Sequence, residues 1–146
     1  MKTLTKIILS VVIFFVLLIL IGAVYETMQE NEIKNIKTAP YKIVNFWSAH
    51  QPTAKRYSAN ILTETTDKQQ ILLIAKKEIL RLKEDYGADV VWFNICYEVW
   101  EDDPKICKEE IAKVVWFKFD AYPKPSTDRY KHLEDFAGGE LHILWS

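Results

Sequence analysis

Hydrophobic and polar positions divide this chain into an apolar N-terminal segment and a patterned remainder. Residues 7–24 contain no charged side chain in 18 positions. As an α-helix they would span about 27 Å, which is close to the thickness of a bilayer's hydrocarbon core. We therefore predict a transmembrane anchor within residues 1–25 that contacts the lipid bilayer through residues 7–24.

A cleaved signal peptide is the alternative for the same segment. Signal peptides have a shorter apolar stretch, of about 7–15 residues, followed by small residues at the cleavage site. Here the stretch is longer, and the bulky Ile21 stands two places before Ala23, the best candidate for the last residue before cleavage. These features favour an uncleaved anchor.

Two patterned segments after Pro40 have strand character. Residues 41–49 are rich in β-branched and aromatic side chains, and residues 55–64 alternate between apolar and polar positions. The short connection between them predicts a β-hairpin.

Residues 67–86 have the spacing of an amphipathic helix. We expect Thr66 as the N-cap, with Gln69 completing a capping box three places on, and Gly87 as the helix end. The predicted buried stripe consists of Leu72, Ala75, Ile79, Leu82 and Tyr86.

Downstream of this helix the pattern predicts strands separated by short helical turns. Residues 89–99 and 112–120 have strand composition, and residues 140–145 are expected as an edge strand. Helical turns are expected from Pro104 to about Glu110 and near residues 128–136. Alternation along the strand over 112–120 puts Trp116 on the face away from the helix. It puts three other side chains on the helix side: Val115, Phe117 and Phe119.

This order of elements predicts an α+β domain over residues 41–146. The expected architecture has two layers, with the main helix on one face of an antiparallel sheet of four to five strands. The strand and helix order would be ββαββ plus a tail, and residues 26–40 would form a linker to the anchor.

The run from Tyr41 to about Asp120 resembles small bacterial envelope domains of unknown function that share the ββαββ order. Two features carry the resemblance: a TxxQ-like helix start, here Thr66 to Gln69, and an aromatic strand after a helix-stopping glycine, here Gly87 to Tyr97. The resemblance implies a fold. It implies no activity and supplies no functional residues.

Charge is distributed unevenly around the apolar run. Two of the 19 basic residues, Lys2 and Lys6, precede it and all 20 acidic residues follow it, which leaves the rest of the chain with a net charge of −3. The positive-inside rule then predicts a single-pass cell-membrane protein with a cytoplasmic N-terminus and an extracytoplasmic domain. A mildly acidic domain is also a poor nucleic-acid binder, so we expect no nucleic-acid partner.

Cys96 and Cys107 are the only cysteines, and the predicted topology places both where oxidation is permitted. A disulfide between them would close a short loop and stabilise the fold by roughly 2–3 kcal/mol. Two buried free thiols are the alternative. Redox chemistry is not expected, because the chain has no CxxC spacing.

The three histidines, His50, His132 and His142, could join Asp128 or Asp135 at a metal site. However, no pair of them has the i, i+4 spacing of a helical metal motif. We therefore predict no metal, no cofactor and no catalytic residue.

The tryptophans Trp92, Trp100 and Trp116 are candidates for a partner-binding surface. If Trp116 points away from the helix, the second face of the sheet presents aromatic side chains. In the alternative, which we favour, residues 136–145 cover that face and bury the tryptophans.

Together these features predict a non-enzymatic, membrane-tethered interaction module of a bacterial envelope, with an envelope protein as its partner. The second hypothesis is a small envelope enzyme such as a hydrolase. A pocket that brings His132 or His142 beside an acidic side chain would favour the enzyme.

Overall fold

The computed structural model describes residues 2–103 and 105–146. The chain forms two compact units, one ending at Asn35 and the other comprising Ile36–Ser146. The first unit is helix α1, Lys2–Asn35. Within the described residues α1 is the one helix long and apolar enough to cross a membrane, and its apolar stretch is not buried. This finding fits the predicted single-pass anchor.

Helix α1 continues through residues 26–35, the first part of the predicted linker. The segment contains three Glu, one Met and one Gln, which are good helix formers, and it contains no glycine or proline. Only residues 36–40 are left as the non-helical connection to the second unit.

Within its described residues, the second unit contains one helix and a six-stranded sheet rather than the four to five strands predicted. The helix is α2, Lys68–Tyr86. The strands are β1 (Tyr41–Ser48), β2 (Arg56–Thr63), β3 (Val90–Val99), β4 (Cys107–Lys118), β5 (Lys131–Phe136) and β6 (Gly139–Trp145). Their spatial order is β1-β2-β3-β4-β6-β5.

The sheet is mixed, whereas the prediction was a wholly antiparallel one. Strands β2 and β3 pair in parallel, and every other neighbouring pair is antiparallel. The reason is helix α2, which has 19 residues and carries the chain back along the sheet. Strand β3 therefore starts at the same end as β2 and runs in the same direction.

Helix α2 begins one residue later than the predicted capping box requires. Asp67, rather than Thr66, is the N-cap, and its carboxylate accepts hydrogen bonds from the backbone N–H groups of Gln69 and Gln70. The predicted end at Gly87 is confirmed by its left-handed backbone, with φ 64°. The buried stripe includes Ile71 and Ile74 and also Ala75, Glu78, Ile79, Leu80 and Leu82, while Leu72 is only half-buried and Tyr86 is exposed.

Both predicted helical turns were wrong. Strand β4 starts at Cys107, inside the first predicted turn, whose Pro104 lies outside the described residues. Residues 131–136 form strand β5, where the second helical turn was predicted. The segment predicted as an edge strand over 140–145 is β6, which lies between β4 and β5. Charged side chains in both regions masked the strand pattern.

One face of the sheet packs against α2 and forms the main core. Tyr57 donates a hydrogen bond to the backbone of Tyr86 across this interface, and Tyr41 donates one to Glu78. Cross-strand pairing aligns the buried side chains of this face: Tyr57, Ala59, Ile61, Val91, Phe93, Ile95, Ala112, Val114, Trp116, Leu141 and Ile143. We call it the helix-covered face.

Trp116 therefore points toward the helix, and the predicted orientation of β4 was reversed. Trp116 pairs with Val91 and Leu141, is 0% exposed, and donates a hydrogen bond of 2.8 Å from Nε1 to the Phe136 carbonyl. Val115 and Phe117 face the other way. Alternation alone could not settle the orientation, because apolar side chains occupy both sides of this strand.

Candidate functional site

The face of the sheet opposite α2, which we call the outer face, carries most of the sheet's buried polar groups. Two rows of paired residues cross it. One runs Ser58, Trp92, Val115, His142, His132, and the next runs Arg56, Val90, Phe117, Glu140, Asp135. The histidines and acids meet where β6 pairs with β5.

Part of the outer face is covered by the segment between β4 and β5. Val90, Val115, Phe117 and Ala121 form a small second core, against which Trp92 and Tyr130 pack. The segment is tied down by Arg56, whose Nη2 donates a hydrogen bond of 2.7 Å to the Pro123 carbonyl. The predicted cover, residues 136–145, instead forms part of the sheet.

The three candidate tryptophans lie in three different environments. Trp116 is buried under α2 and cannot contact a partner, so its assignment to a partner surface was wrong. Trp92 is half-buried beside the second core, with the Arg56 guanidinium 5.6 Å from its ring centroid. Trp100 is 52% exposed, and it is the one of the three that presents a large free surface.

Trp100 stands on the turn between β3 and β4. The sulfur atoms of Cys96 and Cys107 are joined in a disulfide across the base of this turn, with their α-carbons 5.5 Å apart. Tyr97 and Ile106 are also exposed nearby in sequence. We call the exposed set Tyr97, Trp100 and Ile106 the hairpin tip. The disulfide stabilises the turn mainly by restricting the unfolded chain.

Four potential ligands lie on the outer face of the β5–β6 hairpin. Glu140 and His142 are two residues apart on β6 and so share a face, and His132 is the direct partner of His142 on β5. An irregularity between His132 and Glu134 inserts an extra residue, which turns Asp135 to the same side as His132. We call His132, Asp135, Glu140 and His142 the outer-face cluster.

The distances within the cluster are those of direct contacts. His142 Nε2 lies 3.0 Å from Glu140 Oε2, and His132 Nε2 lies 3.2 Å from Asp135 Oδ1. The rings of His132 and His142 meet edge-on, with their centroids 5.0 Å apart. Ligand atoms of His132, Glu140 and His142 all lie within 4.8 Å of one another.

Burial and charge give the members of the cluster different properties. His142 is 6% exposed and stacks on Phe117, whereas His132 is exposed. The hydrogen bond from His142 lowers the pKa of Glu140 and outweighs the opposite effect of burial, with Lys124 acting in the same direction as His142. Glu140 is therefore an anionic group beside two imidazoles.

The other residues considered from the sequence are held elsewhere. His50 accepts a hydrogen bond from the backbone N–H of Arg56 and packs edge-on against Tyr57. Asp128 accepts a hydrogen bond from Ser126. Glu140 was not considered, although its i, i+2 spacing to His142 within a strand was the available signal.

Comparisons of the chain with known protein families, curated proteins and solved structures gave no match. The resemblance drawn from the order of elements therefore stays a prediction.

Proposed function

We propose that the chain is a membrane-tethered binding module whose second unit, Ile36–Ser146, works on the outer side of a bacterial cell membrane. The observation that carries this proposal is the division of the chain into an apolar, unburied helix and a separately compact unit. A helix with an 18-residue uncharged stretch has the length and composition to anchor in a bilayer.

Charge and sulfur chemistry support the proposed orientation. Lys2 and Lys6 flank the N-terminal end of the apolar stretch, and acidic residues such as Glu26 and Glu30 follow it. The Cys96–Cys107 disulfide is of a kind that persists in oxidising compartments outside the cytoplasm.

The proposed contact with a partner is the hairpin tip. Exposed tryptophan and tyrosine side chains are over-represented in the energetic centres of protein interfaces. Trp100 also has the Lys108 ammonium 5.4 Å from its ring centroid, and Lys108 pairs with Glu98 at 2.6 Å. An apolar centre with a charged rim is typical of a protein-binding surface.

Cross-linking in intact cells tests the binding module. The full chain should give a specific cross-linked adduct that Trp100→Ala abolishes and Phe119→Ala retains. Phe119 is the matched control, because it is a similarly exposed aromatic residue, at 48%, outside the hairpin tip. An adduct that survives Trp100→Ala unchanged would overturn the proposed surface.

Two further measurements test the tether and its orientation. Mass spectrometry of the mature protein should recover residues 7–24, and a chain beginning near Val24 would exclude the anchor. Protease added to spheroplasts should digest the unit after residue 36, and its protection would reverse the orientation.

A small envelope hydrolase is the second candidate, and the outer-face cluster supplies one part of the expected arrangement, a histidine beside an acidic side chain. His132 and His142 each lie beside a carboxylate, which is the arrangement that orients an imidazole for general acid–base catalysis. Hydrolysis of p-nitrophenyl esters or phosphates by the purified full chain would support this candidate if Glu140→Gln abolished it. Equal rates with and without the protein would exclude it for these substrates.

A further inference from the structure

The geometry of the β5–β6 hairpin points to a metal site. We propose that His132, Glu140 and His142 bind one divalent transition-metal ion of the zinc type. The proposal concerns these three side chains and is independent of the hairpin tip and of the membrane tether. It goes beyond a binding module, because that function assigns no ligand to the β5–β6 hairpin. It also replaces the expectation of no metal, which rested on the spacing of the histidines in the sequence and not on the pairing of β5 with β6.

The chemistry of the donor atoms selects the class of metal. Two imidazole nitrogens and one carboxylate oxygen suit Zn²⁺, and the same donors accept Ni²⁺ or Cu²⁺. Mg²⁺ and Ca²⁺ prefer sites made of oxygen ligands alone. Three protein ligands also leave one position of a tetrahedral zinc ion open to water or to a ligand from outside.

The distances require only a small adjustment around the ion. Ligand atoms about 2.1 Å from a tetrahedral zinc ion are about 3.4 Å apart. The pair His142 Nε2 and Glu140 Oε2 is already at 3.0 Å, and all three ligand atoms lie within 4.8 Å of one another. His132 makes the adjustment most easily, because its side chain is 49% exposed while that of His142 is 8% exposed.

Two neighbouring side chains affect metal binding at this site in opposite directions, Asp135 favourably and Lys124 unfavourably. Metal-binding histidines commonly use their second ring nitrogen to contact a carboxylate, and Asp135 supplies such a group to His132 at 3.2 Å. Lys124 opposes binding, because its Nζ lies 3.6 Å from Glu140 Oε1 and competes as a cation for this carboxylate. Lys124→Met should therefore tighten metal binding.

Isothermal titration of the full chain in detergent micelles, without a histidine tag, tests the proposal. Zn²⁺ should bind at one ion per chain, and Mg²⁺ should give no saturable binding. His132→Ala and Glu140→Gln should each weaken Zn²⁺ binding by roughly tenfold or more, since losing a ligand costs at least as much as losing an outer-shell partner. His50→Ala is the control and should bind Zn²⁺ like the wild type.

The titration does not require a variant of His142, the buried member of the three. His142→Ala removes a packed ring and can unfold the domain, whereas the side chains of His132 and Glu140 are more exposed. Circular dichroism of these two variants establishes that they are folded. Absence of one-to-one Zn²⁺ binding by the wild type would overturn the proposal. Unchanged affinity in both folded variants would do so too.

Discussion

The two faces of the six-stranded sheet differ in what covers them and in what they bury. The helix-covered face is almost entirely apolar, and side chains such as Ile61, Phe93 and Trp116 are at most 1% exposed. The outer face mixes a small apolar core with Arg56, Asn60 and His142, all at most 8% exposed. A loop segment covers part of it in place of a helix.

This difference separates apolar packing from buried polar contacts. Burial of apolar area stabilises a fold without directional requirements, so the helix-covered face can be optimised for packing alone. Buried polar groups need specific partners, as when Asn94 donates a hydrogen bond to Asn60 and Asn60 donates one to the Lys105 carbonyl. Most of the sheet's buried polar side chains therefore lie on the outer face, where such partners are available.

Substituting one tryptophan on each face tests this separation most strongly. Trp116→Ala should lower the free energy of unfolding by about 3–5 kcal/mol, because it leaves a cavity in a fully buried site. Trp92→Ala, on the half-buried outer face, should cost only about 1–2 kcal/mol. Urea unfolding followed by circular dichroism measures both.

Trp116→Phe is the matched control for the larger effect. It keeps most of the ring volume but loses the hydrogen bond from Nε1 to the Phe136 carbonyl. Its free energy of unfolding should therefore lie between that of wild type and that of Trp116→Ala. A Trp116→Ala melting temperature within a degree or two of wild type would show that the helix-covered face is not the stabilising one.

Loss of the Cys96–Cys107 disulfide should have the next largest effect on stability. The disulfide lies at the end of the sheet where neither face is well covered. Tyr97, Glu98, Lys108 and Glu109 are exposed there, so packing contributes little to holding β3 against β4. Replacing both cysteines by serine should cost roughly 2–3 kcal/mol by loop entropy. Thermal unfolding with and without reductant measures this cost, and an identical melting temperature would mean that packing holds the turn.

Much of the domain's framework could be predicted from the sequence. The main helix and four strands, β1, β2, β3 and β6, begin and end within one residue of their predicted bounds. Period-two spacing, helical apolar spacing and the glycine at position 87 are local signals, which is why these elements could be predicted. The parallel pairing of β2 and β3 was also available, since a long helix between two strands favours a parallel crossover. The antiparallel prediction gave this connection too little weight.

The candidate site could not be predicted in the same way. Strand β5 reads Lys-His-Leu-Glu-Asp-Phe, and its charged side chains are typical of a protected sheet edge rather than of a core strand. The irregularity after His132 also breaks the period-two rule that would relate it to Asp135. Without the β5–β6 pairing, the two histidines appear ten residues apart and unrelated.

A pH titration examines the contact that joins β2, β3 and β4. Asp89 accepts hydrogen bonds of 2.8 Å from the Lys55 backbone N–H and from Lys118 Nζ. Burial raises the pKa of Asp89, but these contacts outweigh it and hold the pKa below its ordinary value of 3.8. The carboxylate therefore stabilises the fold above about pH 4, and this contribution is lost as pH falls through the folded-state pKa.

Asp89→Asn isolates this contribution. The variant should be less stable than wild type by about 1 kcal/mol at pH 7, a modest figure because the ion pair with Lys118 is partly exposed and screened by solvent. The difference should shrink as the pH falls below about 4, since wild-type Asp89 then becomes protonated. A gap that stays constant down to pH 2 would assign the loss to packing rather than to charge.

The smallest expected effect is that of Trp100→Ala on stability, and its smallness is informative. Trp100 is 52% exposed on the hairpin tip, and its ring has the Lys108 ammonium nearby rather than a packed core. Removing it should change the free energy of unfolding by about 0.5 kcal/mol or less. The same substitution should abolish the cross-linked adduct, so Trp100 would affect binding without affecting folding. A loss of 2 kcal/mol or more, by contrast, would mean that Trp100 is structural, and a lost adduct could then reflect misfolding rather than a missing contact.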